Sequence, residues 1–327
     1  MGNLRKQAVL GVDIGATTAK IGYVDRDGKC LSGGASVSTG ARQAVDVFFK
    51  RLHESAETLR AKLPPEYDLA GIGIGAANGN YYKGTIESSP NLGWDYVDVR
   101  AELGKYYSVP VAVTNDANAA ALGEMLFGAA KGMKDFISIT LGTGLGSGIV
   151  ANGEMIYGAD GFAGELGHTI VDPNGRECAC GRLGCLEAYC SATGLCRTVV
   201  ELICDTNVSS MLRGVSYNEL TAAKISEAAL DGDALALAAF ETCGETLGRK
   251  LSDSVAHMSP EAIFICGGMA AAGELILSPT RRALEKYVLP IYRGKIKVLP
   301  SGLSDGNVAV LGAAALAWNV LDKAGKC

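Results

Sequence analysis

The sequence has neither a dense run of one charge sign nor a long apolar segment. Its 30 lysines and arginines stand against 35 aspartates and glutamates, a net charge of −5 over 327 residues. The absence of a dense Lys/Arg run argues against a surface built to bind nucleic acid or anionic lipid. The longest apolar stretch, 308–321, is interrupted by Gly312 and Asn319 and is too short to span a bilayer. We expect a soluble globular protein with a buried C-terminal helix and no nucleic-acid or membrane partner.

Targeting signals are also missing. No N-terminal segment resembles a signal peptide, so we expect a cytoplasmic, reducing compartment in which disulfides are disfavoured. Met1-Gly2 is followed by Lys6, where N-myristoylation would require Ser or Thr. With 48% hydrophobic and 20% charged residues, the chain is expected to form about two ordinary domains with full cores.

The two common nucleotide-binding motifs, G-K-[ST] and G-x-G-x-x-G, do not occur. Instead, many of the 43 glycines lie at the ends of apolar strands. Residues 8–31 and 136–157 share one order of strand, Gly/Thr turn, strand and Asx-Gly hairpin. This repetition predicts duplicated lobes, and the alternation of strands with helices predicts an α/β fold with mixed sheets.

The two Gly/Thr turns join hairpin strands. That geometry suits a nucleotide held between two lobes, its phosphates bound by backbone N–H groups and threonine hydroxyls. The alternative is that these glycines only form ordinary hairpin turns and bind nothing. The occurrence of the same turn twice argues against this alternative. The candidate phosphate-binding residues are Gly15, Thr17 and Thr18 in the first turn and Gly142, Thr143 and Gly144 in the second.

Two aspartates follow apolar strands. Asp13 ends an apolar strand, where burying an unpaired carboxylate costs free energy. A hydrated Mg²⁺ would explain a carboxylate at this position. The alternative is an aspartate that only caps the turn. Asp116 precedes a helix and is either its N-cap or a general base that accepts the proton of an alcohol during phosphoryl transfer. The neighbouring Asn115 and Asn118 could bind a polyol, cap the helix, or do both.

One histidine and three cysteines lie close together in a glycine-containing segment. His168 with Cys178, Cys180 and Cys185 would complete the tetrahedral shell of Zn²⁺ and leave no position for a substrate water, which indicates a structural zinc. Gly181 and Gly184 let the backbone turn sharply enough for the sulfurs to converge. The alternative is that these cysteines are simply buried or disulfide-bonded.

Seven segments together resemble the ROK family (repressor, open reading frame, kinase), specifically its glucokinase-like sugar kinases. They are GVDIGATTAKIG near the start, SSPNLGW at 88–94, TNDANAAALGE at 114–124, ITLGTGLGSGIV at 139–150, the ELGH to CLE segment, ICGGMA at 265–270 and the closing LGAAALA. The resemblance implies an actin-like two-lobed ATPase (ribonuclease H-like) fold and ATP-dependent transfer to a sugar hydroxyl. We place the lobes at 1–117 plus 308–327 and at 118–307.

The resemblance also assigns roles residue by residue. It implies Asp116 as catalytic base, Gly267 and Gly268 against the adenosine, and a zinc held by His168 and the three cysteines. Glu165 and Glu187 could instead be solvated charges. The residues expected to bind sugar hydroxyls are Asn91, Asn115, Asp116, Glu165, His168 and Glu187.

One segment departs from the family pattern. Residues 75–80, GAANGN, replace a proline-containing turn, so the loop lacks a fixed φ and is expected to be more mobile near the sugar. Glucose phosphorylated at its 6-hydroxyl by ATP is therefore the leading expectation, while an N-acetylmannosamine or N-acetylglucosamine substrate and a polyphosphate donor stay open. A sugar-responsive regulator is less expected, because the first strand begins near Ala8 and leaves no room for a helix-turn-helix. The family resemblance favours a homodimer or larger oligomer.

Overall fold

The computed structural model describes residues 5–40, 44–89, 92–303 and 308–325. Within them the strands are β1 (Lys6–Ile14), β2 (Thr18–Val24), β3 (Cys30–Ser38), β4 (Tyr67–Ala76), β5 (Gly79–Asn80), β6 (Thr85–Ser89), β7 (Trp94–Asp98), β8 (Val111–Thr114), β9 (Phe136–Leu141), β10 (Leu145–Ala151), β11 (Glu154–Met155), β12 (Ala262–Cys266) and β13 (Lys297–Pro300). The α-helices are α1 (Val45–Arg60), α2 (Val99–Gly104), α3 (Asp116–Leu126), α4 (Glu187–Cys190), α5 (Ala192–Asp205), α6 (Ala222–Leu230), α7 (Ala234–Met258), α8 (Glu274–Tyr287) and α9 (Val308–Lys323).

Two five-stranded sheets repeat one topology. Their strand orders are β3-β2-β1-β4-β8 and β11-β10-β9-β12-β13. In each sheet an antiparallel hairpin (β1 with β2, β9 with β10) is extended by parallel strands (β4 and β8, β12 and β13). The predicted α/β fold with duplicated halves and mixed sheets is confirmed.

The first compact unit comprises 1–132, 155–164 and 302–327. Successive residues of β1 point to opposite faces of its sheet, so Leu10 packs with Phe48 of α1, while Val9 packs with Trp318 of α9. Helix α9 lies directly on the backbone of β4, because a Cβ at Gly73 would be 1.8 Å from the carbonyl oxygen of Ala313. This confirms the buried C-terminal helix.

The second compact unit comprises 133–154 and 165–301. Its core joins the apolar residues of β9 and β12 to helices α5, α7 and α8. Helices α7 and α8 approach closely at Gly248, where a Cβ would be 2.4 Å from the carbonyl oxygen of Thr280. The lobe boundaries inferred from the sequence, at 117 and 308, stay a prediction.

In the described part of the chain, no helix combines the length and the apolar character that crossing a membrane requires.

Candidate functional site

The two aspartates lie at one edge of the first sheet. Strands β1, β4 and β8 are parallel, and their register aligns Asp13 with Gly75 and Gly75 with Thr114. Asp116 comes two residues after Thr114. A Cβ built on Gly75 would be 3.6 Å from the Cα of Asp116 and 3.9 Å from Oδ1 of Asp13. Gly75 therefore lies beside both aspartates, and a Cβ there would also be 3.2 Å from the Cβ of Ala119.

Both carboxyl groups hold their protons more tightly than free aspartate. Burial raises the pKa of Asp13 to about 6, the negative charge of Asp116 adds to this, and Lys20 on the paired strand opposes it. Burial also raises the pKa of Asp116, against hydrogen bonds from backbone N–H groups, although the residue keeps access to solvent. A carboxylate that is both accessible and more basic than usual is suited to accept a proton from a bound hydroxyl.

Asn115, not Asp116, is the N-cap of α3. Its side chain accepts the N–H of Ala117 at 2.8 Å, and Oδ1 of Asp116 accepts the same N–H at 2.9 Å from the first helical position. The alternative that Asp116 is the N-cap of this helix is therefore wrong. Asn118 is 1% exposed and its Nδ2 donates to Oγ1 of Thr114 at 3.4 Å, so it packs inside the unit and does not reach a soluble polyol.

The first Gly/Thr turn presents its hydroxyls to solvent. The N–H of Gly15 donates to the carbonyl of Thr18 at 3.1 Å, and the carbonyl of Thr17 accepts the N–H of Thr39 at 3.0 Å. Oγ1 of Thr39 donates to the carbonyl of Ala16 at 2.9 Å. The turn is thus fixed through its backbone, while Thr17 and Thr18 are exposed.

The loop that departs from the family pattern lies beside the end of β8. A Cβ at Gly79 would be 2.3 Å from the carbonyl oxygen of Thr114, which is followed directly by Asn115 and Asp116. Asn78 has a φ of +57° and donates through Nδ2 to the carbonyl of Ser88 at 2.7 Å. An asparagine in the left-handed region forms the turn here, and greater mobility of this loop stays a prediction.

In the second unit, two glycine turns are neighbours. The turn 142–144 is closed by a hydrogen bond from the N–H of Gly142 to the carbonyl of Gly144 at 3.0 Å, and Thr143 is exposed. Gly267 has a φ of +89°, and a Cβ there would be 2.5 Å from the carbonyl oxygen of Leu141. A Cβ on Gly268 would meet no atom within 4 Å. The residues expected to face phosphates and adenosine therefore border one open surface of this unit.

The predicted zinc ligands form a compact group. One ligand atom each from His168, Cys178, Cys180 and Cys185 lies within 4.8 Å of all the others. Nδ1 of His168 is 3.8 Å from Sγ of Cys178, and Sγ of Cys180 is 3.6 Å from Sγ of Cys185. Zinc bonds of about 2.3 Å to sulfur in a tetrahedron imply sulfur pairs roughly 3.8 Å apart, so the donor set fits the ion. Every cysteine in the described residues is free, and the disulfide alternative finds no support among them.

The cluster also meets the predicted sugar-binding side chains. Nε2 of His168 is 4.0 Å from Oε2 of Glu165, on the opposite side of the ring from Cys178. Glu187 accepts the N–H of Leu145 through Oε2 at 2.9 Å, and its Oε1 is 3.6 Å from Sγ of Cys178. Sequence reasoning missed this link between the second glycine turn and the metal cluster, because nothing in either segment indicates that they touch. Asn91 lies outside the described residues.

Comparison with known proteins gives matches over nearly the whole chain. The ROK family model matches residues 9–320. The glucokinase of Halalkalibacterium halodurans is 37% identical over 294 residues, 86% of this chain and 86% of that protein. A solved ROK family glucokinase from Streptomyces griseus, in complex with glucose and AMPPNP, is 34% identical with a TM-score of 0.79 and covers 95% of this chain and 99% of its own. A ROK family transcriptional regulator, described as a homolog of the E. coli MLC protein, is 28% identical with a TM-score of 0.85, over 96% of this chain and 78% of its own.

Proposed function

The chain belongs to the ROK family, and we propose that it transfers the terminal phosphoryl group of ATP to the 6-hydroxyl of a hexose, glucose foremost. Its similarity to two glucokinases over at least 86% of its length supports a sugar kinase. The observation that distinguishes the site is Asp116, an accessible carboxyl with a raised pKa beside Asp13 at the carboxyl edge of parallel strands.

In this proposal Asp116 is the general base. Its carboxylate accepts a hydrogen bond from the sugar hydroxyl and orients the oxygen toward the terminal phosphorus. As the new O–P bond forms, the bond to the bridging oxygen of ADP breaks and the hydroxyl proton passes to Asp116. Burial raises the pKa of this carboxyl and so strengthens it as a base, while Asn115 caps the helix and leaves Asp116 at its first position.

In the same proposal ATP is the phosphoryl donor and Mg²⁺ assists the transfer. A cation near Asp13 would relieve the repulsion between Asp13 and Asp116 that contributes to the raised pKa of Asp13. Bound there through water, Mg²⁺ would neutralise charge on the phosphate oxygens. The exposed hydroxyls of Thr17, Thr18 and Thr143 and the N–H groups of their turns would bind phosphate, with Gly267 and Gly268 next to the adenosine.

The sugar would be bound by polar side chains from several segments. Glu165 and Glu187 would accept hydrogen bonds from sugar hydroxyls. With Nδ1 of His168 on the zinc, its Nε2 carries the proton and would donate to a sugar oxygen, and Asn91 and Asn115 would add amides. A zinc bound by His168 and the three cysteines would have four protein ligands and no open position. Its role would be to fix His168 and the chain between Glu165 and Glu187.

A sugar-responsive regulator is the second candidate, because the similarity to a ROK transcriptional regulator extends over 96% of this chain. A regulator needs to bind sugar but has no use for a basic carboxyl. Specific retention of DNA in a gel-shift assay, released by a hexose, together with no ADP formation would favour this candidate.

Asp116→Asn tests the proposed base directly. Because the amide cannot accept the proton, kcat should fall by at least ~10²-fold while the affinity for the sugar, measured by calorimetry, changes little. Asp98→Asn is the matched control: Asp98 is the N-cap of α2 and accepts the N–H of Ala101 at 2.9 Å, a role that Asn also performs. We expect this control to keep full activity. An unchanged kcat in Asp116→Asn would remove Asp116 from the chemistry.

A further inference from the structure

The junction of α4 and α5 supports the second glycine turn from behind. The N–H of Ala192 donates to the carbonyl of Gly142 at 2.9 Å, and Oγ1 of Thr193 donates to the carbonyl of Thr143 at 3.0 Å. Just after the turn, the N–H of Leu145 donates to Glu187 at 2.9 Å. Because these bonds involve the first two residues and the exit of the turn, the position of the junction determines where the N–H groups of the turn point.

Arg176 holds this junction through every donor of its guanidinium. Nη1 donates to the carbonyls of Ala188 in α4 and Gly194 in α5, at 2.9 and 3.1 Å. Nη2 donates to Oγ1 of Thr198 at 2.8 Å and to Oε2 of Glu201, and Nε donates to Oε1 of Glu201 at 2.9 Å. These contacts use all five N–H groups of an arginine side chain, and only 8% of this one is exposed.

The same residue is part of residues 165–187, the zinc segment, which carries the four predicted metal ligands. It precedes Cys178 by two positions, and its carbonyl accepts the N–H of Gly184, next to Cys185, at 2.7 Å. Its own N–H donates to the hydroxyl of Tyr189 in α4 at 2.9 Å, and its guanidinium lies 4.5 Å from the centre of that ring. The backbone of Arg176 is thus hydrogen-bonded next to the metal ligands, while its side chain is hydrogen-bonded to the helices that support the turn.

We propose that Arg176 is a positioning residue that couples the zinc segment to the phosphate-binding turn 142–144, so that nucleotide affinity depends on zinc. This rests on the proposed function, because it takes the turn to bind ATP phosphates. A lysine at 176 has three donors on a flexible stem and cannot bridge α4, α5 and Glu201 at once. Methionine fills similar space and has no N–H donors.

Binding of AMPPNP, measured by calorimetry with Mg²⁺, tests the coupling without requiring turnover. We expect Arg176→Met to bind AMPPNP about tenfold more weakly and Arg176→Lys to lie between this variant and wild type, since the turn loses its fixed support. In steady-state assays KM for ATP should rise more than kcat falls, because ground-state binding is what the turn provides. If Arg176→Met fails to fold, the lysine variant gives the same comparison on a smaller scale.

Arg197→Met is the matched control. Arg197 lies in α5 and, like Arg176, joins this helix to the zinc segment, since it donates to the carbonyl of Glu177 at 2.7 Å. It is only partly buried, and no hydrogen bond in the described residues joins it to α4 or the turn. It should bind AMPPNP as wild type does. Wild-type protein stripped of zinc by a chelator should lose AMPPNP affinity as Arg176→Met does.

The possible failures can be told apart. Wild-type affinity in Arg176→Met, an equal loss in Arg197→Met, or unchanged affinity after zinc removal would each overturn the coupling. If wild-type protein itself does not bind AMPPNP, the proposed use of ATP is wrong, and the coupling falls with it.

Discussion

At the scale of single residues, the site combines two carboxyl groups that the fold keeps close and partly desolvated. Asp13 and Asp116 stand on either side of Gly75. Burial raises the pKa of both, and the negative charge of Asp116 raises that of Asp13 further. Such an arrangement lowers stability at neutral pH, and proteins keep it where the charge has a function. A bound cation and a substrate hydroxyl would each use one of these carboxylates.

Asp13→Asn should therefore stabilise the metal-free protein at high pH. Because burial raises the pKa of Asp13 from 3.8 to about 6, the folded state binds more protons than the unfolded state between these values, and stability falls as pH rises through this window. Removing the charge should add on the order of 2 kcal/mol to the free energy of unfolding at pH 8 and little at pH 3.5.

Urea denaturation of wild type and Asp13→Asn at both pH values, without Mg²⁺, measures this difference. Asp95→Asn is the control, since Asp95 is an exposed residue of β7 and its replacement removes the same charge from the surface. A gain for Asp13→Asn that is no larger at pH 8 than at pH 3.5 would contradict the raised pKa.

The sequence identifies these two aspartates through their positions after apolar strands. It does not show that Gly75 lies between them, because β4 inserts between β1 and β8 only when the sheet forms. Nor does it show that Asn115 takes the cap and frees Asp116 from it. Both facts depend on contacts between residues far apart in the chain.

At the scale of elements, the zinc segment shows what local sequence can and cannot predict. Four ligands of the right types at short spacing predict the cluster, and the structure brings all four together. The contacts that attach this segment to its surroundings cannot be predicted in the same way. Arg176 donates a hydrogen bond to Glu201, and Glu187 accepts one from Leu145, 42 residues earlier. An arginine and a glutamate in a polar segment look like solvated charges until the helices that surround them are placed.

The two glycines of this segment should respond differently to alanine. Gly184 has a φ of +72°, and a Cβ there would be 1.5 Å from the carbonyl oxygen of Asp172, so Gly184→Ala adds a backbone collision to the strain of a left-handed residue. Gly181 has a φ of +84° and open space around its Cβ. Gly181→Ala should cost about 1 kcal/mol of stability, and Gly184→Ala at least about 3 kcal/mol.

Zinc content by mass spectrometry and thermal melting separate the two variants. Gly181→Ala should retain one zinc per chain and a melting temperature near that of wild type, while Gly184→Ala should lose zinc. Equal zinc content and equal melting temperatures in the two variants would show that the approach of Asp172 does not determine the shape of the segment.

At the scale of the whole molecule, the repeated order of strand, Gly/Thr turn, strand and hairpin was enough to predict two related halves. The two sheets share one strand order and one pattern of parallel and antiparallel neighbours. What sequence could not supply is the partner of each element. Helix α9, for example, packs on β4 at Gly73, more than two hundred residues earlier, because only glycine admits the backbone of a helix there.

The measurement that tests the proposed activity most directly is ADP release over a panel of glucose, mannose, fructose, N-acetylglucosamine and N-acetylmannosamine, run in parallel with ATP and with polyphosphate as donor. Formation of a sugar phosphate in each reaction, with its position, is read by ³¹P NMR. We expect the highest kcat/KM with ATP and glucose, and a single product phosphorylated at the 6-hydroxyl. A preference for an N-acetyl sugar would replace glucose as the proposed substrate. The absence of phosphate transfer to any sugar from either donor would contradict the proposed kinase activity.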